Sequence, residues 1–170
     1  SSAASDVYKR QAQDLISINA SSGELTFNTP ADYESRTSYR IFVYASDGTN
    51  RTNAQIRIDV LDVNDNAPVW VSDSNFSIDE NSKIIGTLSA TDADVSSQVT
   101  YTVDGLYTEI ITVNAETGLL SFINEVDFEE QSTYDMRVFA NDGELSTPQS
   151  ITVNINDCLL YTSPSPRDKT

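Results

Sequence analysis

Apolar and polar residues alternate along several stretches of this chain, so that every second side chain points to the same face. In "TYDMRVFA" the apolar face consists of Tyr134, Met136, Val138 and Ala140. The same period occurs in three further stretches, 85–91, 99–103 and 150–157. A period of two is typical of strands with one buried face, and no stretch has the spacing of an amphipathic helix. The pattern therefore predicts an all-β fold, a seven-stranded antiparallel β-sandwich.

The chain also resembles itself at a constant offset of 95 residues. Residues 16–62 align with residues 111–157 without a gap, and 16 of the aligned positions are identical. A period of this length is that of a domain and is longer than the units of solenoid proteins. Each copy is therefore expected to have its own core.

Three local features follow from the repeat and the strand pattern. The turns that end at Gly23 and Gly118 are predicted to hold these glycines at positive φ. The aligned Tyr39 and Tyr134 are predicted to be core residues and not binding aromatics. Trp70 is predicted to pack within its domain.

The two ends of the chain fall outside the repeat. After Asp157 the alignment predicts a stretch like 63–68, but the sequence continues as "CLLYTSPSPRDKT". The first residues show no strand alternation, and both ends resemble translated sequencing-adapter read-through, so we expect them to be non-native. The expected organisation is a tail at 1–13, the C-terminal half of a truncated repeat plus linker at 14–66, a complete repeat at 67–157, and a tail at 158–170.

The composition argues against several classes of function. The net charge is −16 and there is no histidine, which argues against nucleic acid because binding to phosphates needs a basic face. No stretch approaches the length of apolar sequence needed for membrane insertion. Cys158 is the only cysteine, so an intrachain disulfide is not possible. We expect no enzymatic activity, because the chain has neither a nucleophile with an adjacent base nor a glycine-rich phosphate loop.

An oxygen-rich stretch, "LDVNDNAPVW", links the two copies. Asp62, Asn64, Asp65 and Asn66 lie within five residues and are followed by Pro68. One interpretation is a turn, because Asp, Asn and Pro favour turns. The other is a site for a hard cation, which binds carboxylate, amide and carbonyl oxygens.

Five acidic motifs accompany the strands, the repeat and the linker: "DVNDNAP" (62–68), "DEN" (79–81), "TDAD" (91–94), "DYE" and "DFE" (32–34, 127–129), and "SDG" and "NDG" (46–48, 141–143). On these motifs the sequence resembles tandem cadherin repeats over about residues 14–157. The sequence is also similar to that of cadherin-like arrays in large bacterial surface proteins. The resemblance implies Greek-key, Ig-like sandwiches joined end to end, with Ca²⁺ at each junction and a calcium-stiffened rod used in adhesion.

The resemblance also implies the calcium ligands. At the junction of the two copies they would be Asp32, Glu34, Asp62, Asn64, Asp65, Asp92, Asp94 and Asp142, with the backbone carbonyls of Val63 and Asn66. A second, incomplete set would face a following repeat: Glu80, Asp127, Glu129 and Asp157. Two departures affect the first set. The first copy has no counterpart of Glu80, and the loop after Asp94 lacks the family's asparagine, for which Ser96 is one substitute.

The function implied by the resemblance is that of a fragment of a cell-surface adhesion protein, anchored to the plasma membrane through parts outside this chain. Its partners would be calcium and other cadherin-like repeats in cis or trans, or a cell-surface ligand, and the adhesion could be homophilic. The alternative is a structural spacer or carbohydrate-binding module without homophilic adhesion. Asn19, Asn50 and Asn75 begin acceptor sequences for N-glycosylation, which either serve as such in a glycosylating source or occur by chance.

Overall fold

The computed structural model describes residues 15–158, and packing divides the chain into two units. Residues 1–63 belong to the first, termed unit 1, and residues 64–170 to the second, termed unit 2. Over the described residues the only helical element is a 3-10 turn at Gly105–Tyr107, and the other regular elements are β-strands. The all-β prediction is confirmed.

Most of the two predicted tails lies outside the described residues. Cys158 is the exception, and it is exposed. The non-native origin of residues 1–13 and 158–170 stays a prediction, and so do the domain boundaries expected from the sequence.

The strands described in unit 1 are β1 (Ile16–Ile18), β2 (Leu25–Phe27), β3 (Ser38–Ser46) and β4 (Arg51–Asp59). β1 pairs with β2 and β3 pairs with β4, both antiparallel. Ile16, Tyr39 and Ile41 are buried in a small core, where the ring of Phe27 meets Tyr39 edge-on at 5.0 Å between centroids. Tyr39 is therefore a core residue, as predicted.

The strands of unit 2 are β5 (Val69–Trp70), β6 (Asn75–Asp79), β7 (Ile84–Thr87), β8 (Ala90–Thr91), β9 (Thr100–Val103), β10 (Ile111–Val113), β11 (Leu119–Phe122), β12 (Thr133–Asn141) and β13 (Ser146–Asn156). One sheet has the order β6-β13-β12-β9 and another the order β10-β11-β7, while β5 pairs with β8. Counting β5 with β6 and β7 with β8 as interrupted strands gives the predicted seven. β6 runs parallel to β13, and the other pairs are antiparallel.

The core of unit 2 is built from the alternation seen in the sequence. Along β12 the buried side chains are Met136, Val138 and Ala140, and along β13 they are Ile151, Val153 and Ile155. Tyr134 and Trp70 are partly buried against this core, and the indole Nε1 of Trp70 donates to the carbonyl of Thr147 at 3.1 Å. The predicted period of two and the packing of Trp70 are confirmed.

One predicted strand is interrupted. The sequence pattern predicted a continuous strand over 85–91, but the structure has β7 and β8 with a break at Leu88 and Ser89. The amide of Leu88 donates to the carbonyl of Gly118 at 2.9 Å, and the carbonyl of Ser89 accepts from Val71 and Ser72. The chain thus changes partner within one strand, from β11 to β5, and this switch breaks the ladder.

The predicted turn glycines adopt the left-handed conformation. Gly23 has φ of 76° and Gly118 has φ of 70°. At Gly118 a Cβ atom would lie 2.3 Å from the carbonyl oxygen of Leu88, whereas at Gly23 no atom lies within 4 Å of that position. Gly118 is therefore required for packing as well as for backbone conformation.

Candidate metal centre

The segment that leads into β5 is held to the loop after β8 by the side chain of Asp94. The backbone amide of Asn66 donates to Asp94 Oδ2 at 2.9 Å, and the Asn66 side-chain amide donates to Asp94 Oδ1 at 2.8 Å. The same Nδ2 donates to Asp65 Oδ1 at 2.9 Å. Asp94 is buried, with 4% of its surface exposed. A charged carboxylate this deep needs compensation, which two amide donors begin to supply.

Asp92 orients this loop from two residues earlier. Its Oδ1 accepts from the backbone amide of Asp94 at 2.9 Å. Its Oδ2 is buried and has no hydrogen-bond partner among residues 15–158. The carboxylate is therefore positioned through one of its two oxygens.

Asp142 occupies the hairpin between β12 and β13. Its Oδ1 accepts from the amides of Glu144 at 2.8 Å and Leu145 at 2.7 Å. Its Oδ2 is buried and has no hydrogen-bond partner in the described part of the chain. Burial acts to raise the pKa of Asp142, but the amides of Leu145 and Glu144, with a contribution from the Asn64 side chain, outweigh it and lower the pKa. Asp142 is thus held as a carboxylate.

These side chains form the first acidic group, which consists of Asn64, Asp65, Asn66, Asp92, Asp94 and Asp142. Within the described range 15–158, three of its oxygens are buried without a hydrogen-bond partner: Asn64 Oδ1, Asp92 Oδ2 and Asp142 Oδ2. Unpaired buried oxygens are costly in a folded protein, and those of a native structure require a partner such as water or an ion. Carboxylate and amide oxygens are the ligands of Ca²⁺, so the residues fit a calcium ion by donor type.

The predicted ligands of unit 1 lie in two segments of that unit. Asp32 and Glu34 are in the connection between β2 and β3, where Asp32 accepts from the amide of Ser35 at 3.1 Å and from its hydroxyl at 2.7 Å. The hydrogen bonds from Ser35 lower the pKa of Asp32. Asp62 and Val63 follow β4, and Val63 is exposed.

The second acidic group, Glu80, Asp127 and Glu129, lies at the other end of β12. One carboxylate oxygen of each residue lies within 4.8 Å of those of the other two. Since β12 has nine residues, the two groups are about 30 Å apart along the strand. Asp157 directly follows β13 and is exposed, and its carboxylate is not part of this group of three.

Hydrogen bonds position the second acidic group. Glu80 accepts from the amide of Cys158 at 2.9 Å and from that of Phe128 at 3.4 Å, while Asp127 accepts from the amide of Glu129 at 2.8 Å. The interaction between the two neighbouring carboxyls lowers the pKa of Asp127 and raises that of Glu129, with the charge of Glu80 adding to the rise. The repulsion among these carboxylates is what a cation would relieve.

One functional contact was missed by sequence reasoning. Asn66 was expected to contribute only its backbone carbonyl, yet its side chain donates to both Asp65 and Asp94. The abundance of Asn in the linker was the only available signal, and it does not distinguish a ligand from a donor that orients ligands.

Comparison with known proteins identifies the family. The Cadherin domain family matches residues 74–156. The chain is 40% identical over 123 residues to human Protocadherin Fat 1 and 31% identical over 148 residues to human Protocadherin Fat 4. The chain belongs to the cadherin family.

Each match covers much of this cadherin chain and little of the relative. The alignments cover 67% and 82% of this chain, but only 3% of Fat 1 and 3% of Fat 4. This chain therefore spans a small part of the curated relatives it matches. It is a cadherin-domain fragment similar to protocadherins.

Solved structures agree with the fold. Extracellular cadherin domains 3–6 of Protocadherin Gamma B2 match with a TM-score of 0.78 at 23% identity, covering 97% of this chain and 45% of that one. Domains 1–5 of the same protocadherin match with a TM-score of 0.68 at 30% identity, covering 79% and 28%. The β-sandwich of a cadherin repeat is therefore the fold of this chain. Over residues 15–158, no helix is long and apolar enough to span a membrane.

Proposed function

We propose that this cadherin chain binds Ca²⁺ at its repeat junction and that the bound ion stiffens a rod-like segment of a cell-surface adhesion protein. The observation that carries the proposal is the set of buried, unpaired oxygens of Asp92, Asp142 and Asn64 in unit 2. A divalent cation would compensate them, and a chain with a net charge of −16 favours cations as counter-ions.

Calcium suits these residues better than magnesium does. Ca²⁺ takes six to eight oxygens in flexible geometry, whereas Mg²⁺ demands a near-ideal octahedron and gives up its waters reluctantly. The first acidic group offers carboxylates and amides from three separate segments, which is a donor set for a large, adaptable ion. From unit 1, the proposed ligands are the side chains of Asp32, Glu34 and Asp62 and the carbonyl of Val63.

The second acidic group has fewer donors. Glu80, Asp127 and Glu129 bring three carboxylates together, and the carboxylate of Asp157 is not one of this group. We infer that this set binds calcium weakly by itself and needs donors from a following repeat.

The proposed setting is extracellular. The relatives are protocadherins, and the matching solved chains are described as extracellular cadherin domains. One of them, of Protocadherin gammaB7, is a cis-dimer. By this similarity the proposed partners are other cadherin repeats, in cis or in trans, and catalysis is not part of the proposal.

A calorimetric titration with a matched pair of variants tests the metal site. The unmodified chain should bind Ca²⁺ with a Kd of about 10⁻⁴–10⁻³ M, as extracellular calcium modules do. Asp142→Asn keeps the shape of the side chain and removes its charge, so it should weaken binding at least about tenfold. Asp73→Asn removes an exposed charge outside the acidic groups and should leave the affinity unchanged. Equal affinities of all three proteins would contradict the site.

Adhesion is tested separately with beads coated with the chain. Aggregation in calcium that is reversed by a chelator would support homophilic adhesion. Dispersed beads, together with normal calcium binding, would favour the spacer function.

A further inference from the structure

The outer face of the β3–β4 hairpin combines basic, aromatic and amide side chains. Tyr39 and Ile41 point into the core of unit 1, so the alternate side chains of β3 point outward. Opposite positions of paired strands share a face, and the guanidinium of Arg51 lies over the Tyr44 ring, 4.4 Å from its centroid. The outward residues are termed the basic face and consist of the pairs Arg40 with Arg57, Phe42 with Gln55 and Tyr44 with Asn53, together with Arg51.

Packing within unit 1 does not account for Phe42. Its ring is 51% exposed, and it is not among the side chains that pack against the core of unit 1. The aligned residue of unit 2, Arg137, is also exposed, although β12 lies between β13 and β9. The position is therefore open because it lies on the outer side of the sheet, whichever strands flank it. Exposed aromatic rings with arginines around them are typical of binding surfaces, in which both residue types are enriched.

The pair of Arg40 and Arg57 places two like charges opposite each other. This is unfavourable, and two guanidinium groups cannot hydrogen-bond to each other because neither has an acceptor. Arg57 donates from Nε to Asp59 Oδ1 at 2.7 Å, but both side chains are more than half exposed, so this ion pair contributes little. In unit 2 the aligned pair is satisfied internally, because the hydroxyl of Thr152 donates to Asp135 Oδ1 at 2.6 Å. The arginine pair is instead suited to an acceptor that a ligand supplies.

The two units also differ in charge. Residues 15–63 contain four arginines and six acidic side chains, a net charge of −2, whereas residues 64–158 contain two basic and 17 acidic side chains, a net charge of −15. Three of the four arginines of unit 1 lie on the basic face. At physiological ionic strength, charges are largely screened beyond about 8 Å. The local charge of this face, and not the net charge of the chain, therefore governs what the face attracts.

We propose that the basic face binds an anionic polysaccharide whose sugars carry sulfate or carboxylate groups. The guanidinium groups of Arg40 and Arg57 bind the anionic groups, because arginine presents a planar fork of donors that matches their oxygens. Phe42 packs against the apolar face of a sugar ring, and the amides of Gln55 and Asn53 bind its hydroxyls. The proposal does not depend on the calcium site.

A polysaccharide fits this face better than an acidic polypeptide does. Sugar rings combine hydroxyls with apolar C–H faces, and on the basic face each aromatic residue lies opposite an amide. Arg40 and Arg51 mark the two ends of the face, and Arg51 pairs with Ser46, so the ends are about 20 Å apart along the hairpin. This length suits an extended chain of sugars. An acidic polypeptide supplies the anions without the hydroxyls.

Binding is tested by titrating fluorescein-labelled heparin oligosaccharide with the full chain and following anisotropy in a chelator. Arg40→Gln should weaken binding at least about fivefold, because it removes a charge-assisted hydrogen bond. Phe42→Ala should weaken binding by a similar factor, whereas Phe42→Tyr keeps the ring and should bind like the original. Arg137→Gln, which removes an exposed arginine from the same face of unit 2, should have no effect. Equal affinities of the Arg40 and Arg137 variants would overturn the proposal.

Further probes identify what is recognised. Hyaluronan carries carboxylates without sulfates, so binding of both sugars identifies the carboxylate, and binding of heparin alone identifies the sulfate. Neutral dextran should not bind. Equal binding of polyglutamate would show that an acidic polypeptide is the ligand and would overturn the proposal. Heparin binding that requires Ca²⁺ would place the contact at the acidic groups and overturn it as well. Circular dichroism of each variant checks that the fold is retained.

Discussion

The four strands described in unit 1 correspond to β10–β13 of unit 2 at the same spacing, but the two sets of strands bury different amounts of side chain. β3 and β12 are 95 residues apart at both ends, and the register of each hairpin is the same, with Tyr39 opposite Ile58 and Tyr134 opposite Val153. Yet Val138 is fully buried, whereas its counterpart Val43 is only partly buried. The hairpin geometry is therefore the same in both units although the burial differs.

Burial depends on the facing sheet. In unit 2 the core includes Ile78, Ile85, Leu88 and Tyr101, all from strands or connections before β10. The described part of unit 1 has no equivalent of these residues. Its strands are thus formed by sequence pattern and hairpin turns, but they are stabilised by far less apolar burial.

The largest expected effect is a difference in lost stability between two matched core positions. Leu120→Ala removes a fully buried side chain and should reduce the stability of unit 2 by about 2–5 kcal/mol. Leu25→Ala, at the equivalent position of unit 1, removes a partly buried side chain and should cost about 1 kcal/mol or less. Urea denaturation followed by Trp70 fluorescence reports on unit 2, and hydrogen exchange of β3 amides reports on unit 1. Similar losses in both units would contradict the difference in burial.

A smaller difference is expected at the matched turn glycines. Gly118→Ala should cost about 3 kcal/mol, because the positive φ strains alanine and the added Cβ meets the carbonyl of Leu88. Gly23→Ala has only the conformational penalty of about 1–2 kcal/mol. Thermal denaturation and hydrogen exchange of each hairpin measure the two costs. If both variants lose the same stability, the close approach at Gly118 is not energetically important.

The acidic groups provide a third comparison, which tests the proposed calcium binding. Asp65→Ala removes a carboxylate from the first acidic group and should weaken calcium binding about tenfold. Asp157→Ala removes a carboxylate that lies outside the second acidic group and should leave calcium affinity nearly unchanged. Calorimetric titration of both variants is the test, and equal losses would favour the turn interpretation of the linker.

The smallest expected effect concerns a contact that unit 2 has and the described part of unit 1 lacks. Trp70→Phe keeps an aromatic ring against the core but removes the hydrogen bond to the carbonyl of Thr147. The expected loss is about 1 kcal/mol, measured by circular dichroism because the substitution removes the only tryptophan. A loss of several kcal/mol would mean that the ring itself packs differently.

The features that depend only on neighbouring residues could be predicted from the sequence alone. The period of two predicted which side chains of β12 and β13 are buried, because successive side chains of a strand point to opposite faces. The turns at Gly23 and Gly118 followed from the preference of glycine for positive φ. Because the offset between the repeats is constant, a prediction made at one position applied also to the aligned position of the other unit.

Contacts between residues that are distant in the sequence depend on the tertiary structure. The break at Leu88 and Ser89 arises because the chain changes partner there, from β11 to β5, and no local pattern encodes that switch. In the same way the amide of Asn66 donates to Asp94, which is 28 residues later in the sequence. Glu80 accepts from the amide of Phe128, which is 48 residues later. Family motifs indicated which acidic residues belong together. Only the packed sandwich determined which of their oxygens are hydrogen-bonded and which are buried without a partner, because this depends on how the loops at each end of the strands fold against one another.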